Sequence, residues 1–286
     1  MADTQFSNVA VLGAGTMGAG IAQVCAQAGS SVTLCDISDE FVQKGMERIR
    51  AFLQKGVDKG KTSEAQRDAT LARIATSTDR AIGCKDAQLV VEAVPEKLEL
   101  KNGIFRELGG VVAADCVLAS NTSSLSLVKV FEGVPGGERC IGWHFFNPVP
   151  LMKLLELVQT DATSEATIAA SQDYGRLLGK EPILVKDSPG FASSRLGVCL
   201  GLEAIRMVEA GVASPEDIDK AMVLGYGHPM GPLKLTDLVG LDVRLAIADY
   251  LRGELGLEGF AAPELMRKMV ADGKLGKKSG QGFYSW

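Results

Sequence analysis

Residues 8–20 read NVAVLGAGTMGAG. The apolar residues Val9, Val11 and Leu12 run directly into Gly13-Ala14-Gly15-Thr16-Met17-Gly18, a G-x-G-x-x-G string that opens a helical pattern. The next apolar run, SVTLCD, ends in Asp36, 18 residues beyond Gly18. The string alone is weak; a strand before it, a helix after it and an acid at that distance make it a dinucleotide-binding fingerprint. Gly13 permits the tight turn, Gly15 lets the backbone approach a pyrophosphate, and Gly18 lets the helix pack closely on the sheet. Thr16 and Met17 complete the cofactor-binding turn, and the helix start offers N–H donors and a positive dipole end to phosphates. Asp36 is suited to accept hydrogen bonds from ribose hydroxyls and to repel a 2'-phosphate, which favours NAD over NADP. Flavin adenine dinucleotide can use the same fingerprint, but no second nucleotide-type motif follows. The competing reading is a strand-to-helix turn that binds nothing.

Outward from this point, short β-branched or apolar runs alternate with longer helical patterns as far as residue 186. That alternation is the mark of an α/β fold with a Rossmann-type parallel sheet. The expected strands are NVAVLG, SVTLCD, QLVVEAV, CVLASN, RCIGWHFF, KLLELV and PILVK. Two successive helical patterns, DEFVQKGMERIRAFLQKG and SEAQRDATLARIA, exceed a simple crossover and suggest a helical surface arm at about 38–74. Ser63 and Gln66 have capping-box spacing there. At Asp187-Ser188-Pro189-Gly190 the pattern changes. Residues 187–286 read as an all-helical domain with four helical patterns, one of them starting at Ser214 as N-cap with Pro215 in the first helical position. The division is thus 1–186 for the dinucleotide-binding domain and 187–286 for the helical one. Apolar faces on so many short helices suggest burial against a partner subunit, hence a homodimer formed through this second domain.

The 286 residues carry 30 Lys+Arg against 35 Asp+Glu, a formal charge of -5, which argues against a nucleic-acid-binding surface and requires any phosphate site to be local. Hydrophobic content of 46% with 33 glycines describes a compact enzyme-like protein. Cys25, Cys35, Cys84, Cys116, Cys140 and Cys199 lie far apart without a C-x-x-C pair, so they read as reduced core thiols and no metal site is expected. The early first strand leaves no room for a leader, and no apolar run approaches membrane-spanning length. A cytoplasmic protein without membrane partners is the expectation.

The chemistry concentrates in GWHFFNPVPLMKLLELV, residues 142–158. A dehydrogenase needs a base near neutral pKa at the hydroxyl it oxidises, and His144 stands at the expected C-terminal end of a strand, where ligands of open α/β sheets collect. Glu156 lies twelve residues on among Leu154, Leu155 and Leu157, where a lone carboxylate is costly unless paired. If the NPVP turn reverses the chain, Glu156 faces His144 and orients its ring. The alternative is a core imidazole satisfied by a backbone carbonyl. His228, in GYGHPMGP, reads as a loop residue. Asn121, Thr122, Ser123 and Ser124 cluster after CVLASN; a helix cap explains one of them.

Together, GAGTMG with Asp36, VVEAVPE, ASNTSSL, HFFNPVPLMKLLELV, DSPGF, GHPMGP and GKKSGQGFYSW resemble the L-3-hydroxyacyl-CoA dehydrogenases, particularly the bacterial 3-hydroxybutyryl-CoA type, over nearly the whole chain. The resemblance implies a Rossmann domain with a helical arm, a helical dimerisation domain, and NAD-linked oxidation of an (S)-3-hydroxyacyl-CoA substrate. It implies His144 as catalytic base, Glu156 as its orienting partner, and Ser123 and Asn147 as contacts to substrate and nicotinamide. Glu96, Lys101 and Lys278 match cofactor contacts, with Lys101 also approaching CoA, and Lys59 on the arm is a candidate partner for CoA phosphate or ribose. One departure stands out: PGFASSR places Ser194, a substrate-contact position, where the family carries asparagine. Rival readings are a dehydrogenase of free or carrier-bound hydroxy acids, and a non-catalytic relative of the kind recruited as lens crystallins.

Overall fold

A computed structural model describes residues 6–286. The leader expectation concerns residues that include 1–5, which lie outside the described residues. The chain divides into two compact units, one extending to Asp187 and the other from Ser188 to Trp286.

In the first unit, β1 (Asn8–Leu12) leads through the glycine turn into α1 (Thr16–Gln27) and β2 (Ser31–Cys35). Then come α2 (Asp39–Asp58), α3 (Glu64–Ala72), β3 (Ile74–Ser77), α4 (Arg80–Cys84), β4 (Leu89–Glu92), α5 (Leu98–Leu108), β5 (Val117–Ser120) and α6 (Leu127–Val130). The unit closes with β6 (Cys140–Phe145), β7 (Leu154–Gln159), α7 (Glu165–Leu177) and β8 (Glu181–Lys186). The eight strands form one sheet in the order β3-β2-β1-β4-β5-β6-β7-β8. β1, β4 and β5 are buried on both faces, as expected for strands between two helical layers.

Every pairing is parallel except β6 with β7. Phe146–Lys153 is shorter than the dozen or so residues that a parallel crossover needs, so the chain reverses through its Asn147-Pro148 turn, whose peptide bond is cis. Reversal fixes the register: His144 lies opposite Glu156. On one sheet face Trp143, Phe145, Leu155 and Leu157 join the main core with Tyr174 of α7.

One local expectation in this unit needs correction. The helical pattern extended to Ala75 stops at Ala72, and Ile74–Ser77 forms β3, hydrogen-bonded to β2. This short edge strand alternates too little to announce itself in the sequence. The two inserted helices, α2 and α3, form as expected between β2 and β3; Met46, Ile49 and Leu53 of α2 belong to the main core, and Gly45 lets α2 approach Ala14, whose Cβ would lie 2.8 Å from a Cβ on residue 45. The Ser63–Gln66 capping box forms with both reciprocal bonds, at 2.9 and 3.1 Å. β8, the last strand of the sheet, leaves Ile183 and Leu184 partly exposed between Glu181-Pro182 and Lys186.

The second unit comprises α8 (Ser193–Glu209), α9 (Pro215–Tyr226), α10 (Pro232–Val239), α11 (Leu241–Leu255) and α12 (Glu264–Ala271). The single helix expected over 235–255 is split at Gly240, whose φ of 108° no helical residue adopts. Ser214 caps α9 as expected, accepting from the Asp217 N–H at 3.2 Å. The unit has its own core around Leu202, Ile205, Leu233, Leu251 and Met266. Buried Asp237 accepts from the Phe283 and Tyr284 amides and the Trp286 indole, strapping the C-terminal turn to α10. Five cysteines are buried and free, but Cys199 is exposed on α8, which corrects its assignment to the core.

Candidate active site

Parallel pairing brings the ends of β1, β2, β4, β5 and β6 to one edge of the sheet, and the order reverses on either side of β1, where a crevice forms. At that edge Gly13 takes φ 95°, and a Cβ there would sit 2.6 Å from the Ala93 carbonyl oxygen. At Gly18 a Cβ would sit 1.7 Å from the Gly13 oxygen, so the turn closes only with glycine at both positions. Gly15 has open space above it, and it precedes the first turn of α1 with its unpaired N–H groups. Asp36 follows β2 and accepts from the amides of Ala14 and Ile37, both at 2.7 Å. Gly13 to Met17, Asp36 and Ile37 border a cavity of about 1200 Å³ that also meets Lys44, Arg48 and Arg80. A chain of net charge -5 thus gathers cations beside its phosphate-type turn. Backbone cradle, cations and acid fit a dinucleotide.

Farther along the edge, His144 Nδ1 lies 2.7 Å from Glu156 Oε2. The glutamate is fully buried and the imidazole nearly so. An ionised carboxylate only accepts, so Nδ1–H donates this bond and the carboxylate fixes the orientation of the ring. Phe146 packs against the ring with centroids 4.5 Å apart. Asn121, at the end of β5, accepts from the Phe145 amide at 3.0 Å and ties the two strand ends together.

Ser123 belongs to a second acidic centre. Glu96 Oε1 accepts from the Thr122 hydroxyl at 2.6 Å, the Ser123 amide at 2.9 Å and the Ser123 hydroxyl at 3.3 Å. Glu96 Oε2 lies 3.2 Å from Lys101 Nζ. Lys101 is 1% exposed and its ammonium also donates to Glu92 at 2.7 Å. The ammonium is thus held between two carboxylates, the buried Glu92 and the partly exposed Glu96, and it also faces the Val94 carbonyl at 3.3 Å. The expected helix cap is corrected: Thr122 accepts from the amides of Ser124 and Leu125 within a turn, while α6 begins only after Ser126, so none of the four residues caps it. Asn147 is exposed on the turn after β6, and Lys59 is exposed at the end of α2.

Two site candidates belong to the second unit. Ser194 stands in the first turn of α8, and Lys278 pairs with Asp242 at 2.6 Å. His228 sits in the loop after α9, as expected.

Glu92, Ser120 and Lys180 escaped the sequence reading. Glu92 had a signal: a carboxylate inside LVVE faces the same burial cost that singled out Glu156. Lys180 had none. Its buried ammonium donates to the carbonyls of Val149 at 2.5 Å and Met152 at 2.9 Å, holding the turn that carries Asn147. Burial lowers its pKa from the usual lysine range.

Comparison with known proteins places these residues in context. The family model for the 3-hydroxyacyl-CoA dehydrogenase NAD binding domain matches residues 8–188, and that for the 3-hydroxyacyl-CoA dehydrogenase C-terminal domain matches 190–286. A 3-hydroxybutyryl-CoA dehydrogenase of Mycobacterium tuberculosis is 46% identical over 97% of this chain and 98% of its own. The human mitochondrial hydroxyacyl-coenzyme A dehydrogenase is 44% identical over 98% and 91%. The solved (S)-3-hydroxybutyryl-CoA dehydrogenase PaaH1 from Ralstonia eutropha superposes with a TM-score of 0.94 at 43% identity, covering 98% of this chain and 99% of that one.

Proposed function

The chain belongs to the 3-hydroxyacyl-CoA dehydrogenase family, and from that premise we propose that it interconverts (S)-3-hydroxybutyryl-CoA and acetoacetyl-CoA with NAD. The observation that carries this reading is the His144–Glu156 pair at 2.7 Å, on the same sheet edge as the glycine turn and Asp36.

Gly13 to Gly18 hold the pyrophosphate through backbone N–H groups and the start of α1, and Asp36 takes the ribose hydroxyls. Bound NAD supplies the hydride acceptor for the substrate's C3 hydrogen. His144 Nε2 removes the hydroxyl proton as the carbonyl forms, and Glu156 stabilises the resulting imidazolium through Nδ1–H. In the reverse direction the imidazolium returns that proton to the new hydroxyl. Ser123 and Asn147 orient substrate and nicotinamide, Ser194 contacts the acyl portion, Lys59 contacts CoA, and Lys278 contacts the cofactor. These roles rest on the family pattern.

A homodimer formed through the second unit is part of this reading. Leu196, Val212, Leu224 and Tyr226 of that unit are 63–80% exposed, an apolar surface suited to a second copy of the chain. Among the described residues no helix is long and apolar enough to cross a membrane. Free thiols at all six cysteines fit a reducing cytoplasm.

The test follows NADH absorbance with acetoacetyl-CoA, its pantetheine counterpart and free acetoacetate. Rapid NADH loss with the CoA thioester is expected. A preference for the free acid would replace this reading with the hydroxy-acid one, and no turnover on any of the three would remove it.

A further inference from the structure

Glu92 ends β4, directly opposite Ser120 of β5 in the sheet register, and neither residue has measurable exposure. Each carboxylate oxygen of Glu92 is spoken for: Oε1 accepts from Lys101 Nζ and the Val94 amide, both at 2.7 Å, and Oε2 accepts from the Ser120 hydroxyl at 2.7 Å. The same ammonium reaches Glu96 Oε2 at 3.2 Å, and Glu96 Oε1 holds the amide and hydroxyl of Ser123. We infer that Glu92 and Lys101 are positioning residues, a buried charge relay that fixes Glu96 and, through it, sets Ser123 for the reaction. The inference rests on the reading of Ser123 as a reaction-centre contact.

The physical reason is charge balance under burial. A fully buried carboxylate holds its charge only with a partner and hydrogen bonds. Lys101 supplies the partner, and in return Glu92 pins an otherwise flexible four-carbon side chain in one place. Glu96 is 38% exposed at its side chain, so in water it would sample several rotamers. With Oε2 held by Lys101, its other oxygen stays beneath Ser123. The single proton of the Ser123 hydroxyl then points at Glu96, leaving its lone pairs to accept from a ligand donor.

The test uses the full-length enzyme. Lys101→Met leaves Glu92 buried and unpaired and is expected to lower Tm strongly. The double variant Glu92→Gln, Lys101→Met removes both charges and is expected to regain most of that loss, separating folding from function. Ser123→Ala is then introduced into the wild type and into the double variant. If the relay acts through Ser123, the two lesions overlap, and the loss in kcat/KM from Ser123→Ala shrinks about tenfold in the double-variant background. Losses that multiply independently overturn the inference. Hydrogen exchange at the Ser123 amide gives a readout that needs no turnover: it should accelerate in the double variant, and unchanged protection overturns the relay. If the wild type fails to turn over acetoacetyl-CoA, the functional reading falls, while the exchange rates still decide the relay.

Discussion

At the scale of single residues, the pairing of His144 with Glu156 answers why a scarce imidazole lies among aromatic side chains. One ring nitrogen is committed to a carboxylate that has no access to water, and that bond fixes the orientation of the ring. His144→Gln should leave the NADH Kd nearly unchanged and cut kcat by about 10²–10⁴-fold; a mutant near the wild-type rate in a stopped-flow assay would remove the base. If Ser194 faces the acyl portion as proposed, Ser194→Asn should raise kcat/KM for acetoacetyl-CoA, because the longer amide would reach a substrate oxygen that serine could meet only through a bridging water or a shifted pose; an unchanged or lower kcat/KM would count against that reading. Both residues were legible in the sequence, the first from residue type and burial cost, the second from a departure in a motif. Lys101 was legible only in part. Its position marked it, but its partners are Glu92, on a different element, and Glu96, so helix periodicity gave no hint that its ammonium turns inward.

Among elements, the glycine turn shows how a backbone contact decides a sequence. A methyl on residue 18 would meet the Gly13 carbonyl at 1.7 Å, and the atom it meets is backbone, which cannot rotate away. Gly18→Ala should therefore weaken NADH binding, read by fluorescence titration, and lower Tm, because α1 must retreat from β1. The sheet strands other than β3 were legible from their apolar runs. Helix ends were legible where a cap spoke for them, as at Ser63 and Ser214. The break at Gly240 was not, because glycine inside a periodic apolar pattern is compatible with a continuous helix. Only the φ of 108° at that position, a tertiary outcome, separates α10 from α11.

For the whole molecule, buried thiols make stability depend on pH at the alkaline end. Burial pushes the thiols of Cys25, Cys116 and Cys140 up to about 12 from an ordinary value of 9.0. These folded-state values are raised, so their contribution is complete below pH 9 and is lost as pH rises through 12, by at most about 1.4 kcal/mol per pH unit for each thiol. Urea midpoints should fall over that window, and fall less in a Cys116→Ala, Cys140→Ala variant; equal slopes would refute the assignment. The division into two units was legible from the loss of strand patterns after Lys186, whereas the packed state of α2 depended on contacts with α1 that no local pattern encodes. One more consequence comes from the margin of the sheet. β8 leaves Ile183 and Leu184 in partial contact with water, with Glu181, Pro182 and Lys186 around them. Such charges and an imino acid act as gatekeepers, discouraging another chain from adding itself in cross-β fashion. Lys186→Ile should leave the circular dichroism spectrum intact yet increase turbidity when the denatured chain is diluted into buffer, so what guards this border is colloidal behaviour rather than catalysis.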